Sequence, residues 1–371
     1  MKRGTELRKK IIIIAMLILF LAPYSYGEKP NIWGQSGILI DGNSGRVLLE
    51  YDPHLKLPMA STTKIMTALI GLEEGNIDEN IIVSPDAVGI EGSSIYLYEE
   101  ESLSLEDLLY GLMLRSGNDS AVAIANHIGG DLENFILMMN TRAKELGAMN
   151  TNFKNPHGLS IEGHYTTAYD LALISKKAME IEQFKEISKA KTWKANRDKN
   201  NIFYNKNSTL WEYEGGDGIK IGYTIAAGRC LVSSATRNGI QLIAVVLNDR
   251  NWFQDCYALM DYGFKEYKNY VILDKGKYFG EFPILNGNKE DLIAVAADTF
   301  IYPLKEGEKE KIKIHIDGIE SIKAPINKGE NVGDIHVFLD GKLIHQGKLI
   351  ARENVEKLNN LQKILNKIKS P

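Results

Sequence analysis

Three short motifs combine serine, lysine and asparagine in a way that is typical of an acyl-enzyme site with lysine as its proton carrier. In chain order they are Ser61-Thr62-Thr63-Lys64, Ser116-Gly117-Asn118 and Lys220-Ile221-Gly222. A serine three residues before a lysine on a helix lies one turn from it, on the same face. Ser-x-x-Lys recurs at 188–191 and Lys-x-Gly at 305–307, so only the order and wide spacing of the full set favour one common site.

The proton chemistry sets conditions on two of these side chains. A serine hydroxyl at neutral pH is a weak nucleophile and needs a neighbour that takes its proton. Lys64 can take the proton of Ser61 only as a neutral amine, so burial or a nearby positive charge from Lys220 must lower its pKa. We expect Ser116 to relay a proton to the leaving group and Asn118 to hold both Lys64 and the substrate amide. Lys220 would also offer its charge to a substrate carboxylate.

Each of these residues also has an ordinary structural interpretation. Ser61 could cap a helix, Asn118 could occupy a turn, and Lys220 could be a solvated lysine on a strand. The combination of all three motifs, with both serine motifs at helix ends, favours the catalytic interpretation.

The segments around the motifs predict an α+β fold. Apolar residues recur at helical spacing after Ser61 as far as Gly75, and a second helix begins at Ser104. The Ser-Gly-Asn motif then falls in a tight connection between two buried helices. A hairpin, with strands at 36–40 and 46–51, precedes the first motif. Lys220 lies on the first of three further predicted strands, at 219–223, 229–235 and 241–247. A helix at 253–264 follows the third of them. We therefore expect an antiparallel sheet packed with helices.

Both ends of the chain carry segments of their own. Residues 1–27 combine a basic start, an apolar run of about a dozen residues and small residues before Glu28, which predicts a cleaved secretory signal rather than a membrane anchor of ~20 residues. The protein should then be exported, to the cell wall or the outer face of the cytoplasmic membrane. We predict a catalytic domain at 28–266, a β-rich domain at 267–352 and a basic amphipathic helical tail at 353–371. The tail could lie on anionic lipid or dock on its own domain.

Composition limits the classes of partner and cofactor. The chain has 371 residues and a net charge of −4, which argues against a nucleic-acid partner. Its histidines show no spacing typical of metal ligands, so we expect neither a metal nor another cofactor. Cys230 and Cys256 both lie in apolar segments, which favours buried free thiols over a disulfide.

At these motifs the chain resembles the low-molecular-mass penicillin-binding proteins, the serine-type D-alanyl-D-alanine carboxypeptidases of peptidase family S11. The similar segments are 56–64, 112–121, 155–159, 164–168 and 260–264, and the β-rich part after about 268 resembles the family's C-terminal domain. The resemblance implies a β-lactamase/transpeptidase-like catalytic domain followed by a small all-β sandwich domain. It implies peptidoglycan stem peptides as substrate, β-lactam antibiotics as covalent inhibitors, and release of terminal D-alanine through Ser61. Gly222 and Tyr223 would help to bind the substrate, with the backbone N–H groups of Ser61 and Tyr223 as the oxyanion site.

The chain departs from the family pattern at Ile221, where the family usually has a threonine whose hydroxyl helps to bind a carboxylate. A lost hydrogen bond to a charged group costs roughly 1.5–3 kcal/mol, or about ten- to hundredfold in turnover or β-lactam affinity. We therefore predict that Ile221→Thr raises the rate of acylation by penicillin. Arg250 lies in the region where some relatives hold the substrate carboxylate.

Other functions remain open from the sequence. A β-lactamase would share the machinery but needs a deacylation base, for which Glu162 is the nearest candidate. A DD-endopeptidase would use the same residues. Ile221 also leaves room for a catalytically impaired protein that binds peptidoglycan.

Overall fold

The computed structural model describes residues 28–317 and 322–359. The predicted secretory signal and residues 360–371 of the predicted tail lie outside these ranges. Within them, no helix is long and apolar enough to cross a membrane.

A twisted antiparallel sheet forms the centre of the first part of the chain. Across the sheet its strands are β2 (Val47–Tyr51), β1 (Ser36–Asp41), β9 (Ile240–Leu247), β8 (Gly228–Arg237) and β7 (Gly216–Thr224). The hairpin at the start of the described chain joins the later strands because β1 pairs antiparallel with β9. β7, which carries the Lys-x-Gly motif, is at the edge and keeps one side of its backbone free for other partners.

Helices cover both faces of this sheet. They are α1 (Lys64–Glu74), α2 (Leu105–Tyr110), α3 (Asn118–Gly129), α4 (Leu132–Glu145), α5 (Ala168–Ala178), α6 (Glu182–Lys189), α7 (Thr209–Glu212) and α8 (Trp252–Glu266). Two short ribbons pair β3 (Asn80–Ile82) with β4 (Ser102–Ser104) and β5 (Thr192–Lys194) with β6 (Ile202–Tyr204). The predicted antiparallel sheet packed with helices is confirmed.

The sheet separates two apolar cores. Along β8, Cys230 and Val232 pack into the core that contains α1 and α3, whereas Leu231 packs against α8 on the other face. This alternation follows from the two-residue period of a strand. Cys256, on α8, lies in the second core, and both thiols are free and buried. The prediction of buried free thiols is confirmed, and the intervening sheet explains why the two do not pair.

The rest of the described chain is all-β, as predicted. Its strands are β10 (Lys268–Leu273), β11 (Tyr278–Leu285), β12 (Asp291–Ala296), β13 (Phe300–Leu304), β14 (Ile312–Asp317), β15 (Ile322–Lys323), β16 (Asn331–Leu339) and β17 (Lys342–Ala351). One sheet has the order β14-β16-β17-β12-β11-β15. β10 pairs with β13, and Leu273 of this pair packs with Ala294, Ile335 and Leu349 of the larger sheet.

Arg46 connects the all-β part to the first sheet. Its guanidinium forms an ion pair with Glu308 at 2.6 Å and donates to the carbonyl of Pro303 at 2.5 Å. The same group lies 5.2 Å from the ring centroids of both Tyr267 and Tyr302. The Arg46 side chain therefore stabilises this junction by an ion pair, a hydrogen bond and cation–π contacts.

The structure corrects the prediction for the start of the tail. Val355 is buried, and its backbone exchanges hydrogen bonds with Ile326 in both directions. The N–H of Leu358 donates to the carbonyl of Asn286 at 2.8 Å. Residues 353–359 are therefore extended and docked on the all-β part, and no amphipathic helix begins at 353. Contact of the tail with lipid stays a prediction that concerns residues 360–371.

Candidate active site

Ser61 and Lys64 meet where a short 3₁₀ turn, Ala60–Thr63, leads into α1. The turn is held by Thr62 Oγ1, which donates to the carbonyl of Met59 at 2.6 Å. Lys64 Nζ lies 3.1 Å from Ser61 Oγ. The predicted proximity of the two side chains is therefore present, although Ser61 precedes the α-helix rather than standing inside it.

Lys64 is completely buried, and its amine is held by oxygen atoms from three segments. Nζ lies 2.7 Å from Asn118 Oδ1 and 2.6 Å from the carbonyl oxygen of His157, in addition to its contact with Ser61. A neutral amine has two N–H groups and one lone pair, so it can donate to the amide and carbonyl oxygens while its lone pair accepts from the Ser61 hydroxyl.

Electrostatics favour that neutral form. Burial, followed by the positive charge of Lys220, lowers the pKa of Lys64 well below its usual range, and the charge of Asp119 opposes the shift. A lysine in these surroundings can act as a general base near neutral pH, as the sequence reasoning required.

The second motif follows a change in helix geometry. A π-helical turn, Gly111–Arg115, ends at Ser116, whose φ of 64° lies in the left-handed region, and Asn118 begins α3. The Asn118 Nδ2 group donates to the carbonyl of Glu91 at 2.5 Å, which fixes its Oδ1 toward Lys64. Within the described residues no hydrogen bond joins Ser116 Oγ to either lysine. Its proton-relay role stays a prediction.

The third motif brings the edge of β7 against the nucleophile. A Cβ atom on Gly222 would lie 2.9 Å from the backbone nitrogen of Ser61 and 3.1 Å from Ala60 Cβ, so only glycine allows this approach. Lys220 is 1% exposed, and Nζ donates to the carbonyl of Ile221 at 3.1 Å. Burial and the charge of Lys206 lower the pKa of Lys220 to about 7.

A further segment reaches the site from the connection before α5, and the sequence reasoning gave it no catalytic role. Gly158 has φ +91°, and a Cβ atom there would overlap the carbonyl oxygen of Ala60 and lie 2.9 Å from Thr63 Oγ1. Asn155 Oδ1 accepts the N–H of Gly158 at 2.6 Å and closes the turn. The Asn-Pro-x-Gly pattern predicts such a turn, but not that the neighbouring carbonyl of His157 would face Lys64.

Histidine ring nitrogens support this arrangement without acting on Ser61. His164 Nδ1 accepts the N–H of Lys154 at 2.9 Å, so its Nε2 carries the proton and donates to Thr63 Oγ1 at 2.8 Å. Burial lowers the pKa of His164 to about 4 and, together with the charge of Lys64, that of His157 to about 3. Both rings are therefore neutral at physiological pH.

A cavity of about 320 Å³ opens beside the exposed Tyr223 at the end of β7. Arg229 and Arg250 line it, and Arg229 Nη1 donates to the carbonyl of Arg250 at 3.1 Å. Tyr223 and Ile221 are two residues apart on one strand and so share a face. Arg250 thus lies near the predicted site, and Arg229, which the sequence reasoning did not single out, lies beside it. In the described chain no group of three or more His, Cys, Asp or Glu side chains is arranged to hold a metal ion.

Comparison with known families matches both parts of the chain. Residues 25–251 match the family described as D-alanyl-D-alanine carboxypeptidase, and residues 267–357 match the penicillin-binding protein 5 C-terminal domain. The chain belongs to the D-alanyl-D-alanine carboxypeptidase family. The family resemblance of the sequence motifs is confirmed.

Relatives of this family match over almost the whole chain. Identity to D-alanyl-D-alanine carboxypeptidase DacF of Bacillus subtilis is 31% over 366 residues, which cover 93% of this chain and 94% of the relative. Identity to DacC of Escherichia coli is 33%, covering 92% of this chain and 90% of the relative. The solved structure of penicillin binding protein 5 from Haemophilus influenzae superposes with a TM-score of 0.75 at 30% identity and covers 89% of this chain and 100% of that one. The transpeptidase-like catalytic fold with an all-β C-terminal domain is therefore confirmed.

Proposed function

We propose that this protein is a serine DD-carboxypeptidase that removes the terminal D-alanine from peptidoglycan stem pentapeptides. The observation that carries the proposal is the buried Lys64 amine, 3.1 Å from Ser61 Oγ and held by Asn118 and the His157 carbonyl. Membership of the family supports the reaction, and the geometry supports a serine acyl-enzyme mechanism.

In the acylation step, neutral Lys64 takes the proton of the Ser61 hydroxyl while Oγ attacks the carbonyl carbon between the two D-alanines. The new C–O bond places negative charge on the carbonyl oxygen. Backbone N–H groups of Ser61 and Tyr223 would stabilise that charge, because β7 passes next to Ser61 at Gly222. The C–N bond then breaks, and the departing D-alanine amine receives the proton through Ser116. In deacylation, water loses a proton to neutral Lys64 as its oxygen attacks the ester carbonyl carbon. The bond between that carbon and Ser61 Oγ then breaks, and Lys64 passes the proton to Ser61 Oγ.

Two sets of groups would bind the rest of the substrate. Asn118 holds the peptide amide, and Lys220 adds positive charge close to the reacting groups. We assign the terminal carboxylate to the cavity lined by Arg229 and Arg250, because guanidinium groups suit a carboxylate and the cavity adjoins Tyr223. We also propose that β-lactam antibiotics inhibit the protein covalently. We propose an extracytoplasmic location. We propose no nucleic-acid partner.

Ile221→Thr tests this binding arrangement. Ile221 packs against the core on the α8 side, on the face of β7 that it shares with Tyr223. Threonine would place a hydroxyl next to the arginine-lined cavity, so acylation by penicillin should rise about ten- to hundredfold. Ile221→Val, which keeps the branched side chain without a hydroxyl, is the control and should give no gain. An equal or lower rate for Ile221→Thr would refute the binding role of this position.

The function itself is tested by the products of the reaction. The mature protein should release D-alanine from a synthetic peptide that ends in D-Ala-D-Ala, and Ser61→Ala should release none. Cleavage of cross-linked peptides without D-alanine release would show a DD-endopeptidase, and fast hydrolysis of a chromogenic cephalosporin would show a β-lactamase. Glu162 is exposed and, among the described residues, makes no hydrogen bond to Ser61 or Lys64, which disfavours the β-lactamase. No release and no acylation by a folded sample would indicate a peptidoglycan-binding protein.

A further inference from the structure

The carboxylate of Asp119 binds a loop that the proposed mechanism does not use. Asp119 follows Asn118 on α3 and is 1% exposed. It accepts the hydroxyl of Ser94 at 2.5 Å, the N–H of Ile95 at 3.0 and 3.1 Å, and the N–H of Leu97 at 3.1 Å. One buried negative charge thus organises the backbone of residues 94–97.

The same loop borders the active site. Asn118 donates its backbone N–H to the carbonyl of Ser93 at 2.7 Å and its side-chain amide to the carbonyl of Glu91 at 2.5 Å. A Cβ atom on Gly92 would lie 2.9 Å from that side-chain nitrogen. Asn118 Oδ1 contacts Lys64, so movement of residues 91–97 would displace Asn118 and change its hydrogen bond with the amine of Lys64.

A second charged side chain, Arg197, also holds this loop. Arg197 donates to the carbonyls of Ile95 at 2.7 Å and Tyr96 at 3.0 Å, and forms an ion pair with Glu101 at 2.9 Å. Tyr96 has φ +64°, a conformation that L residues rarely adopt. Asp119 accepts N–H groups, and Arg197 donates to carbonyl groups, of the peptides around this residue.

The charges around Lys64 come from several elements. Lys220 on β7 disfavours the ammonium form of Lys64, whereas Asp119 on α3 favours it. The His157 ring is neutral near pH 7, because burial and the charge of Lys64 hold its pKa at about 3. Among these groups, Asp119 is therefore the one whose negative charge acts against Lys220.

We propose that Asp119 is a positioning residue that fixes residues 91–97 as a wall of the active site and offsets, by its negative charge, part of the positive field of Lys220 at Lys64. The inference rests on the proposed acylation of Ser61. The two effects are separable because one depends on the loop contacts and the other on charge alone.

Asp119→Asn removes the charge and nearly keeps the shape. Without the charge Lys64 loses its proton at lower pH, so the acidic limb of the pH profile for penicillin acylation should move to lower pH. At a fixed pH on that limb, we divide each acylation rate by the plateau rate of the same protein. This ratio should be roughly threefold or more higher for the variant than for the wild type, since about half a pH unit corresponds to a factor of three. The plateau itself should fall, because an amide has one oxygen to accept the loop N–H groups.

Arg197→Lys is the matched control, since it loosens the same loop and keeps the charge. It should lower the plateau and leave the acidic limb in place. The charge effect would be overturned if Asp119→Asn lost plateau rate as Arg197→Lys does but kept its acidic limb at the wild-type pH. The positioning effect would be overturned if the plateau rate of Asp119→Asn did not change. If Asp119→Asn does not fold by circular dichroism, the smaller neutral Asp119→Ser gives the same test. A wild type without acylation at Ser61 would instead refute the proposed function.

Discussion

Replacing Lys64 by methionine should lower the rate of acylation of Ser61 by roughly a hundred- to ten-thousandfold, the range typical of a lost general base. Methionine fills a similar volume with a flexible, uncharged side chain, so the buried site stays packed. The loss then reports the missing amine and not a cavity. The measurement is the rate of penicillin acylation, followed by intact-protein mass spectrometry.

The same variant also makes a prediction about stability. A lysine whose folded-state pKa is lowered binds fewer protons in the folded than in the unfolded protein, so wild-type stability should rise with pH toward the unfolded value near 10.4. Lys64→Met lacks this contribution and keeps only that of Lys220, whose pKa shift is no larger once the charge of Lys64 is absent. The melting temperature of the wild type, relative to that of the variant, should therefore rise between pH 7 and pH 10. A constant difference, or acylation at the wild-type rate, would contradict the role given to Lys64.

Gly158→Ala should also slow acylation strongly, by roughly a hundredfold. The added methyl would overlap the carbonyl oxygen of Ala60, at a φ of +91° that alanine rarely adopts. The turn must then move away from Ser61 and carry the His157 carbonyl with it, and a displacement of about 1 Å in an active site can cost a hundredfold. We also expect a loss of more than about 2 kcal/mol in the free energy of unfolding.

Gly130→Ala is the matched control for this prediction. Gly130 has φ +77°, and nothing lies within 4 Å of the position that an alanine methyl would take there. It should show only a loss of stability from the backbone, because φ +77° with ψ −33° is unfavourable for alanine, and acylation should proceed at the wild-type rate. Penicillin acylation and thermal melts of the two variants separate the contact from the backbone effect. Equal acylation by both would show that the approach of Gly158 to Ala60 does not matter for catalysis.

Local spacing was enough to predict the centre of the site. Ser61 and Lys64 are three residues apart at the start of a helix, so their proximity follows from helix geometry alone. Apolar runs bounded by turn residues likewise predicted the sheet, and the turn after the buried helix α2 predicted where Asn118 would lie. These features depend on residues close together in the chain.

Contacts between segments far apart in the chain could not be predicted from the sequence. The His157 carbonyl contacts Lys64 across 93 residues, and the loop held by Asp119 lies more than twenty residues upstream of it. Nothing in the pattern of either segment indicates its partner, because a backbone carbonyl or N–H is the same in every residue. The roles of both segments therefore emerge only from the fold.

The tail shows a different cause of error. Val355 and Leu358 have the spacing of a helix face, and a short apolar repeat cannot by itself separate a helix from an extended segment. Val355 instead completes the small core formed with Ile284 and Leu292, and its backbone pairs with Ile326. Tertiary packing thus decides the conformation of this segment.

The central claim, an acyl-enzyme on Ser61 formed with the help of Lys64, is tested most directly by locating a penicillin adduct. The protein is incubated with benzylpenicillin, digested and mapped by mass spectrometry, beside Ser61→Ala. We expect one covalent adduct, on Ser61, and none in the variant. An adduct on another residue, or a folded wild type with no adduct, would contradict the claim.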